Sequence, residues 1–117
     1  LAATKRMHEA GFKVIAWERW PDVGGSWHHC YEHLRLQSQK TAFAFNDYPM
    51  PEDYPMYPSN KQMVAYFHSY IDHFGLGECI RNNCKVTDAR PRDGGGWIVT
   101  VEESDPLRPN DAPTVED

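Results

Sequence analysis

A chain of 117 residues that is 40% hydrophobic and 13% aromatic has material for one small core, and its formal charge of -5 argues against a nucleic-acid surface. No apolar run approaches the roughly 20 residues that span a bilayer, and the first residues lack the basic-then-apolar order of a signal peptide. Cys30, Cys79 and Cys84 are an odd number with no C-x-x-C, which argues against a disulfide framework or zinc ribbon; a reducing compartment, the cytoplasm first, is the default, and localisation stays open.

Leu1 to Ala10 reads as a helix with a small-residue face, Leu1, Ala2, Ala3, Met7 and Ala10 on one side and Lys5, Arg6, His8 and Glu9 on the outer side, closed by Gly11. Lys13 to Glu18, K-V-I-A-W-E, is a short β-branched run suited to a parallel strand buried on both faces. Helix, glycine, strand and acid make the second half of a βαβ crossover. In a dinucleotide-binding unit of that kind, a carboxylate at the strand tip accepts hydrogen bonds from ribose hydroxyls, and glycines let backbone approach a pyrophosphate without a Cβ clash. Glu18 and Gly24-Gly25 fit those two tasks. No G-x-G-x-x-G precedes them and the chain begins in the helix, so the expectation is a piece of a larger protein.

His28-His29-Cys30 followed by His33 is the densest group of metal-type side chains. Neighbouring residues on an extended chain face opposite ways, and no carboxylate or second cysteine stands at ligand spacing, so no metal site is expected. From Pro21 to Asn60 the chain is irregular, aromatic and proline-rich, and its aromatics Phe43, Phe45, Tyr48, Tyr54 and Tyr57 predict a loop that packs. Ser59 with Gln62 forms a capping-box pattern, and Met63, Phe67, Tyr70, Ile71 and Phe74 give the apolar stripe of a helix over about Asn60 to Phe74, ended by Gly75. His68 and His73 fall outside that stripe. Two β-leaning runs follow, Cys79 to Ala89 and Trp97 to Glu102, joined by a glycine-rich turn containing Asp93-Gly94-Gly95-Gly96. The acidic, proline-rich stretch over residues 103–117 is expected to be a mobile loop or frayed end.

With Glu18, Gly24-Gly25 and Trp27 in place, the segment F-N-D-Y-P-M-P-E-D-Y-P-M-Y-P-S-N from Phe45 to Asn60 completes a recognisable order. The chain resembles the flavin-containing monooxygenases, which carry an acid, a short run, G-G-x-W, and an aromatic-Pro-x-Pro-(Glu/Asp)-Asp segment before a helix. The likeness runs through Tyr70 to Leu76 and the hairpin, so it covers residues 1–102. It implies an α/β fold: a partial FAD-binding Rossmann-like domain, a βαβ unit lacking its first strand, with a long aromatic and proline loop, one amphipathic helix and a β-hairpin.

The same resemblance implies the site. Glu18 would hold the FAD adenosine ribose with Arg19 as a neighbour, Gly24, Gly25, Ser26 and Trp27 would line the flavin side, and Gln37 and Ser38 would sit near the isoalloxazine and nicotinamide. Animal-type members usually have Asn at the Gln37 position, whereas Leu36-Gln37-Ser38-Gln39-Lys40 is closer to the L-Q-T-P-K of plant-type members. The implied parent is an FAD- and NADPH-dependent monooxygenase of the N,N-dimethylaniline type, oxygenating soft nitrogen or sulfur nucleophiles with molecular oxygen through a flavin C4a-hydroperoxide. The cofactor carries that chemistry, so no catalytic side chain is assigned, and the three cysteines read as packing thiols. The isolated piece is expected neither to hold FAD tightly nor to turn over. The alternatives are a fragment of a Baeyer-Villiger-type flavin monooxygenase and a truncated, non-catalytic product; an amine oxidase is disfavoured because Ser26, not Arg, follows the glycine pair.

Overall fold

The computed structural model describes residues 1–104; the tail predicted to be mobile lies, from residue 105 on, outside the described residues. The elements run α1 (Ala2–Glu9), β1 (Ala16–Trp17), α2 (Lys40–Phe43), α3 (Asn60–His73), β2 (Ile80–Arg81), β3 (Cys84–Pro91) and β4 (Trp97–Glu103), with 3-10 turns at Gly25–Trp27 and Gly77–Cys79. Two compact units result. One takes Leu1–Val14 and Val23–Glu78, the other Ile15–Asp22 and the described residues from Cys79 onward.

In the first unit, α1 closes as its sequence predicts. Gly11, at φ 86, follows the last helical turn, its N–H bonding to His8 O at 3.0 Å and the Phe12 N–H reaching back to Met7 O at 3.1 Å. That paired arrangement satisfies carbonyls the helix would otherwise leave open, and the left-handed backbone it needs favours glycine. The buried face of α1 is not the small-residue one. Thr4 and Lys5 are buried, Lys5 only 5% exposed, while Met7 is 46% exposed and Ala2 and Ala3 face solvent. The ammonium of Lys5 explains the reversal: it pairs with Asp47 Oδ2 at 2.5 Å and Glu9 Oε1 at 2.9 Å, and lies 4.3 Å from the centre of the Phe74 ring. A buried cation with two carboxylates and an aromatic face is compensated, which the helical period alone does not reveal.

This pair sets a pH dependence. The hydrogen bond from Lys5 holds the Asp47 carboxyl below its ordinary 3.8, and the bonds to Asp47 and then Glu9 raise Lys5 above its ordinary 10.5. A lowered carboxyl contributes stability that is present above its unfolded value and lost as pH falls through the native one. Thermal melts of wild type and Asp47→Asn are therefore expected to differ at neutrality and to converge well below pH 3.8. A gap that persists unchanged into that acid range would contradict the assignment.

Helix α3 forms where predicted, and its cap is complete. The Ser59 hydroxyl accepts the Gln62 N–H at 3.3 Å while the Ser59 N–H donates to Gln62 Oε1 at 2.9 Å. Ser59→Ala should cost about 1 kcal/mol, read as a lower urea midpoint with an unchanged slope; an unmoved midpoint would show the cap to be idle. Its C-terminus repeats the α1 device at Gly75, with the Leu76 N–H bonded to Ile71 O at 2.9 Å. The buried set is Met63, Tyr66, Tyr70 and Ile71; Phe67 and Phe74 from the predicted stripe are half-buried, and Tyr66 joins it at 1% exposure. His68 and His73 are exposed, as their positions off the stripe implied.

The long loop packs. Leu36 and Met50 from it join Met63 and Tyr66 of α3 in a core cluster flanked by Trp27, Ala44, Phe45, Tyr48, Tyr54 and Phe67. Phe45 and Tyr48 close a tight turn, the Tyr48 N–H bonding to Phe45 O at 3.1 Å, and Asp47 in that turn is the partner of Lys5.

In the second unit, β1 pairs in parallel with β2, Ala16 opposite Ile80 and Trp17 opposite Arg81. The strand is shorter than the Lys13–Glu18 run suggested, and it is half-buried where burial on both faces was expected. The limit is its partner: the positions that would continue the ladder before Ile80 form the 3-10 turn Gly77–Cys79, and the predicted Cys79–Ala89 strand breaks after Arg81 at Asn82-Asn83, where Asn83 adopts φ 59. Asparagine tolerates that left-handed conformation better than most residues. After the break, β3 and β4 form the expected antiparallel hairpin from Cys84↔Glu103 to Pro91↔Trp97, with an irregularity between Val86 and Asp88. No helix among the described residues is long and apolar enough to cross a membrane.

Candidate functional site

Glu18 stands at the end of β1, half-buried, with its backbone held on both sides: its N–H donates to Arg81 O and its carbonyl accepts from the Cys84 N–H, each at 2.8 Å. One carboxylate oxygen accepts the Trp20 N–H at 3.0 Å. The carboxylate is thereby oriented, and acceptor capacity remains for a pair of hydroxyls. Arg19 is exposed, its guanidinium lying 5.0 Å from the centre of the Trp20 ring. These groups form a rigid acid beside a flat cationic and aromatic surface, all within the second unit.

Gly24, Gly25, Ser26 and Trp27 belong to the first unit and lie on one short turn, bonded Trp27 N–H to Gly24 O, His28 N–H to Gly25 O and His29 N–H to Ser26 O, each at 3.1 Å. The two glycines serve different needs. At Gly24, with φ 122, an added Cβ would come within 3.1 Å of the His28 ring and 3.3 Å of Val64 Cγ2, so the turn's own packing demands glycine there. The His28 ring is fixed in that place by its Nε2, which donates to Val23 O at 2.7 Å. At Gly25, with φ 52, an added Cβ meets nothing within 4 Å, so this glycine presents bare backbone to open space. A backbone face of that kind fits a phosphate or flavin edge.

Trp27 is half-buried, packs against the Leu36 and Met63 cluster, and meets Phe43 edge-on at 6.2 Å between centroids. Beside it an open groove of about 500 Å³ runs along α3, lined by Trp27, His28, Lys61, Val64 and His68 among others. Gln37 and Ser38 are exposed on the stretch between Leu36, whose N–H bonds to Pro58 O at 2.8 Å, and Lys40, whose N–H bonds to Met56 O at 2.9 Å. The first unit thus collects six of the eight sequence-derived residues, four on one turn and two on a tethered stretch, while Glu18 and Arg19 fall in the second.

Two residues of consequence were assigned no role from sequence, Lys40 although it closes the Leu36–Lys40 segment and Tyr66 although it lies in the helix. Lys40 donates its ammonium to the carbonyls of Pro51 at 2.8 Å, Glu52 at 3.0 Å and Tyr54 at 2.7 Å. The hydroxyl of Tyr66 donates to Tyr48 O and accepts the Phe45 N–H at 3.0 Å. Burial pushes the Tyr66 hydroxyl's pKa up from its ordinary 10.0. The available signal for Lys40 was the arc Pro51 to Pro55, a proline-punctuated run whose carbonyls no predicted strand or helix would satisfy.

Cys30 is half-buried, its thiol donating to Trp27 O at 3.2 Å and receiving the Asn60 side-chain amide at 3.4 Å; Cys79 and Cys84 are buried, the Cys84 thiol donating to Asn82 O at 3.4 Å. Among the described residues, no group of three or more His, Cys, Asp or Glu is placed to hold a metal ion.

A family model described as flavin-binding monooxygenase-like matches residues 1–106. Flavin-containing monooxygenase 5 of Oryctolagus cuniculus is 29% identical over 116 residues, which cover 87% of this chain and 22% of the rabbit protein. The structure of S-allyl-L-cysteine S-oxygenase from Allium sativum matches with a TM-score of 0.78 at 18% identity, over 86% of this chain and 29% of that one, a likeness of fold. Oxidized steroid monooxygenase bound to NADP matches with a TM-score of 0.77 at 25% identity, over 86% of this chain and 20% of that one. The α/β, FAD-domain-like fold expected from sequence is the fold of these proteins, and this chain spans between 20% and 29% of their length.

Proposed function

The chain belongs to the flavin-binding monooxygenase-like family, and on that premise we propose that the whole protein oxygenates soft nitrogen or sulfur nucleophiles with molecular oxygen. The family's cofactors are FAD and NADPH. When bound, they supply the reducing equivalents and the oxygen activation, and the polypeptide's part is to bind, orient and exclude water.

In this reading Glu18 accepts the two ribose hydroxyls of the FAD adenosine, its carboxylate pre-oriented by the Trp20 N–H. Arg19 lies alongside the adenosine. Gly25 offers bare backbone to the cofactor, Gly24 shapes the turn that allows this, and Ser26 and Trp27 follow on the flavin side. Gln37 and Ser38 face the isoalloxazine and nicotinamide. What supports the assignment above all is the oriented acid at the strand end together with the open face of Gly25, in a chain whose family binds flavin.

A second reading, oxygenation of ketones in the Baeyer-Villiger manner, is favoured by the steroid monooxygenase likeness. The deciding experiment uses the complete gene product that contains residues 1–117. It is purified, scanned for flavin absorbance, and assayed for NADPH-dependent oxygen incorporation into a thioether, a tertiary amine and a cyclic ketone. Oxygenation of the thioether or amine supports the first reading and of the ketone alone the second. A product without flavin would instead be a non-catalytic relic of the family.

A further inference from the structure

We propose that Lys40 is a positioning residue that sets Gln37 and Ser38 against the flavin and nicotinamide, an inference that rests on the cofactor reading above. Its three ammonium donors are matched by the carbonyls of Pro51, Glu52 and Tyr54, so the charged head is fully engaged by main chain. The Lys40 N–H adds a fourth tie, to Met56 O. The residue therefore fastens the start of α2 to the whole Pro51–Met56 arc.

Upstream, the Asn60 N–H bonds to Leu34 O at 3.0 Å and the Leu36 N–H to Pro58 O. Gln37 and Ser38 consequently lie between two fastened points, Leu36 and Lys40, and their own side chains are exposed. Cutting the Lys40 side-chain clamp leaves the downstream point with only its main-chain bond to Met56 O, while Leu36 stays held. A point charge with three tetrahedral donors suits three converging carbonyls; the planar fork of arginine does not.

The test compares wild type, Lys40→Ala and Lys40→Arg in the complete, FAD-loaded gene product, at a temperature where circular dichroism shows each folded. The expected result is an altered visible spectrum of the bound flavin and a rate of flavin reduction by NADPH slowed at least about tenfold in both variants, since small misplacements of positioned groups cost rate steeply. Added propylammonium, which restores the deleted ammonium and its stem, is expected to recover the spectrum and rate in Lys40→Ala. Tetramethylammonium at the same concentration, having charge but no N–H donor, is not. In the unloaded chain, amide exchange at position 40 should accelerate at least about tenfold in Lys40→Ala while amides in the middle of α3 keep their wild-type rates.

A folded Lys40→Ala with wild-type spectrum and reduction rate overturns the positioning role, as does equal recovery by the two ammonium ions. If Lys40→Ala does not fold, Lys40→Arg decides, because it keeps charge and stem; a wild-type reduction rate in it overturns the proposal. Wild type that carries no flavin overturns the cofactor reading itself, and is thereby distinguished from failure of Lys40 alone.

Discussion

Tyr66→Ala is expected to lower the free energy of unfolding by about 3–5 kcal/mol, the range for removing a fully buried aromatic ring. The ring is stacked between Phe45 at 5.8 Å and Tyr48 at 5.7 Å, and it touches the Met63 and Leu36 cluster. Its hydroxyl braces both ends of the Phe45–Tyr48 turn, accepting from one N–H and donating to the other carbonyl. Tyr66→Phe isolates that part. It keeps the stack but orphans a buried N–H and carbonyl, at a cost of about 1–3 kcal/mol. Urea unfolding followed by circular dichroism gives both numbers, and a neutral Tyr66→Phe would mean that the turn holds without its brace.

Glu18→Ala in the complete flavoprotein is expected to weaken FAD binding by about 10- to 100-fold, equivalent to the about 1.5–3 kcal/mol of hydrogen bonds made to a charged acceptor. Glu18→Gln keeps the side chain's reach to the Trp20 N–H but loses the charge, so its loss should be smaller. Flavin occupancy after gel filtration, followed by titration of the apoprotein, reads both. Occupancy unchanged in Glu18→Ala would remove Glu18 from the ribose. The variant is not expected to disturb β1, since the bonds that hold position 18 are made by its main chain.

The parts of the fold that were legible in the sequence are those decided locally. Ser59 with Gln62, the stripe through Met63 and Ile71, and the glycines at positions 11, 75 and 94–96 each specify a cap or turn from within a few residues. The parts that were not legible are decided at a distance. Lys5 reads as an outward lysine until Asp47 and Phe74 are brought to it, and Lys40 reads as a surface lysine until the Pro51–Tyr54 carbonyls converge on it. Tyr66 falls three residues after Met63 on the buried face of α3, but the partners of its hydroxyl are supplied only by the folded loop. The same contrast explains the candidate site. Glu18 and Gly25 announce themselves by position and residue type, but only the backbone geometry separates Gly24, needed for its own turn, from Gly25, which is open.

The Phe45–Asn60 segment, by which the family was recognisable, is also the part that fastens the first unit together. Asp47 anchors α1, the carbonyls from Pro51 to Met56 anchor α2, Met50 enters the core, and Ser59 begins α3. A motif of that kind is informative because many separate contacts constrain it at once.

The parallel ladder between Ala16 and Ile80 has a kinetic meaning as well as a structural one. Its two strands meet only after everything from residue 18 to residue 79 has been gathered in, so the entropy of closing that long loop must be met before a mere two-residue ladder returns anything. Such a ladder cannot recruit the chain between its strands; it has to be recruited by it. Helix α3, held by bonds between near neighbours and by its own Ser59–Gln62 cap, faces no such cost and is the part of the molecule able to organise early.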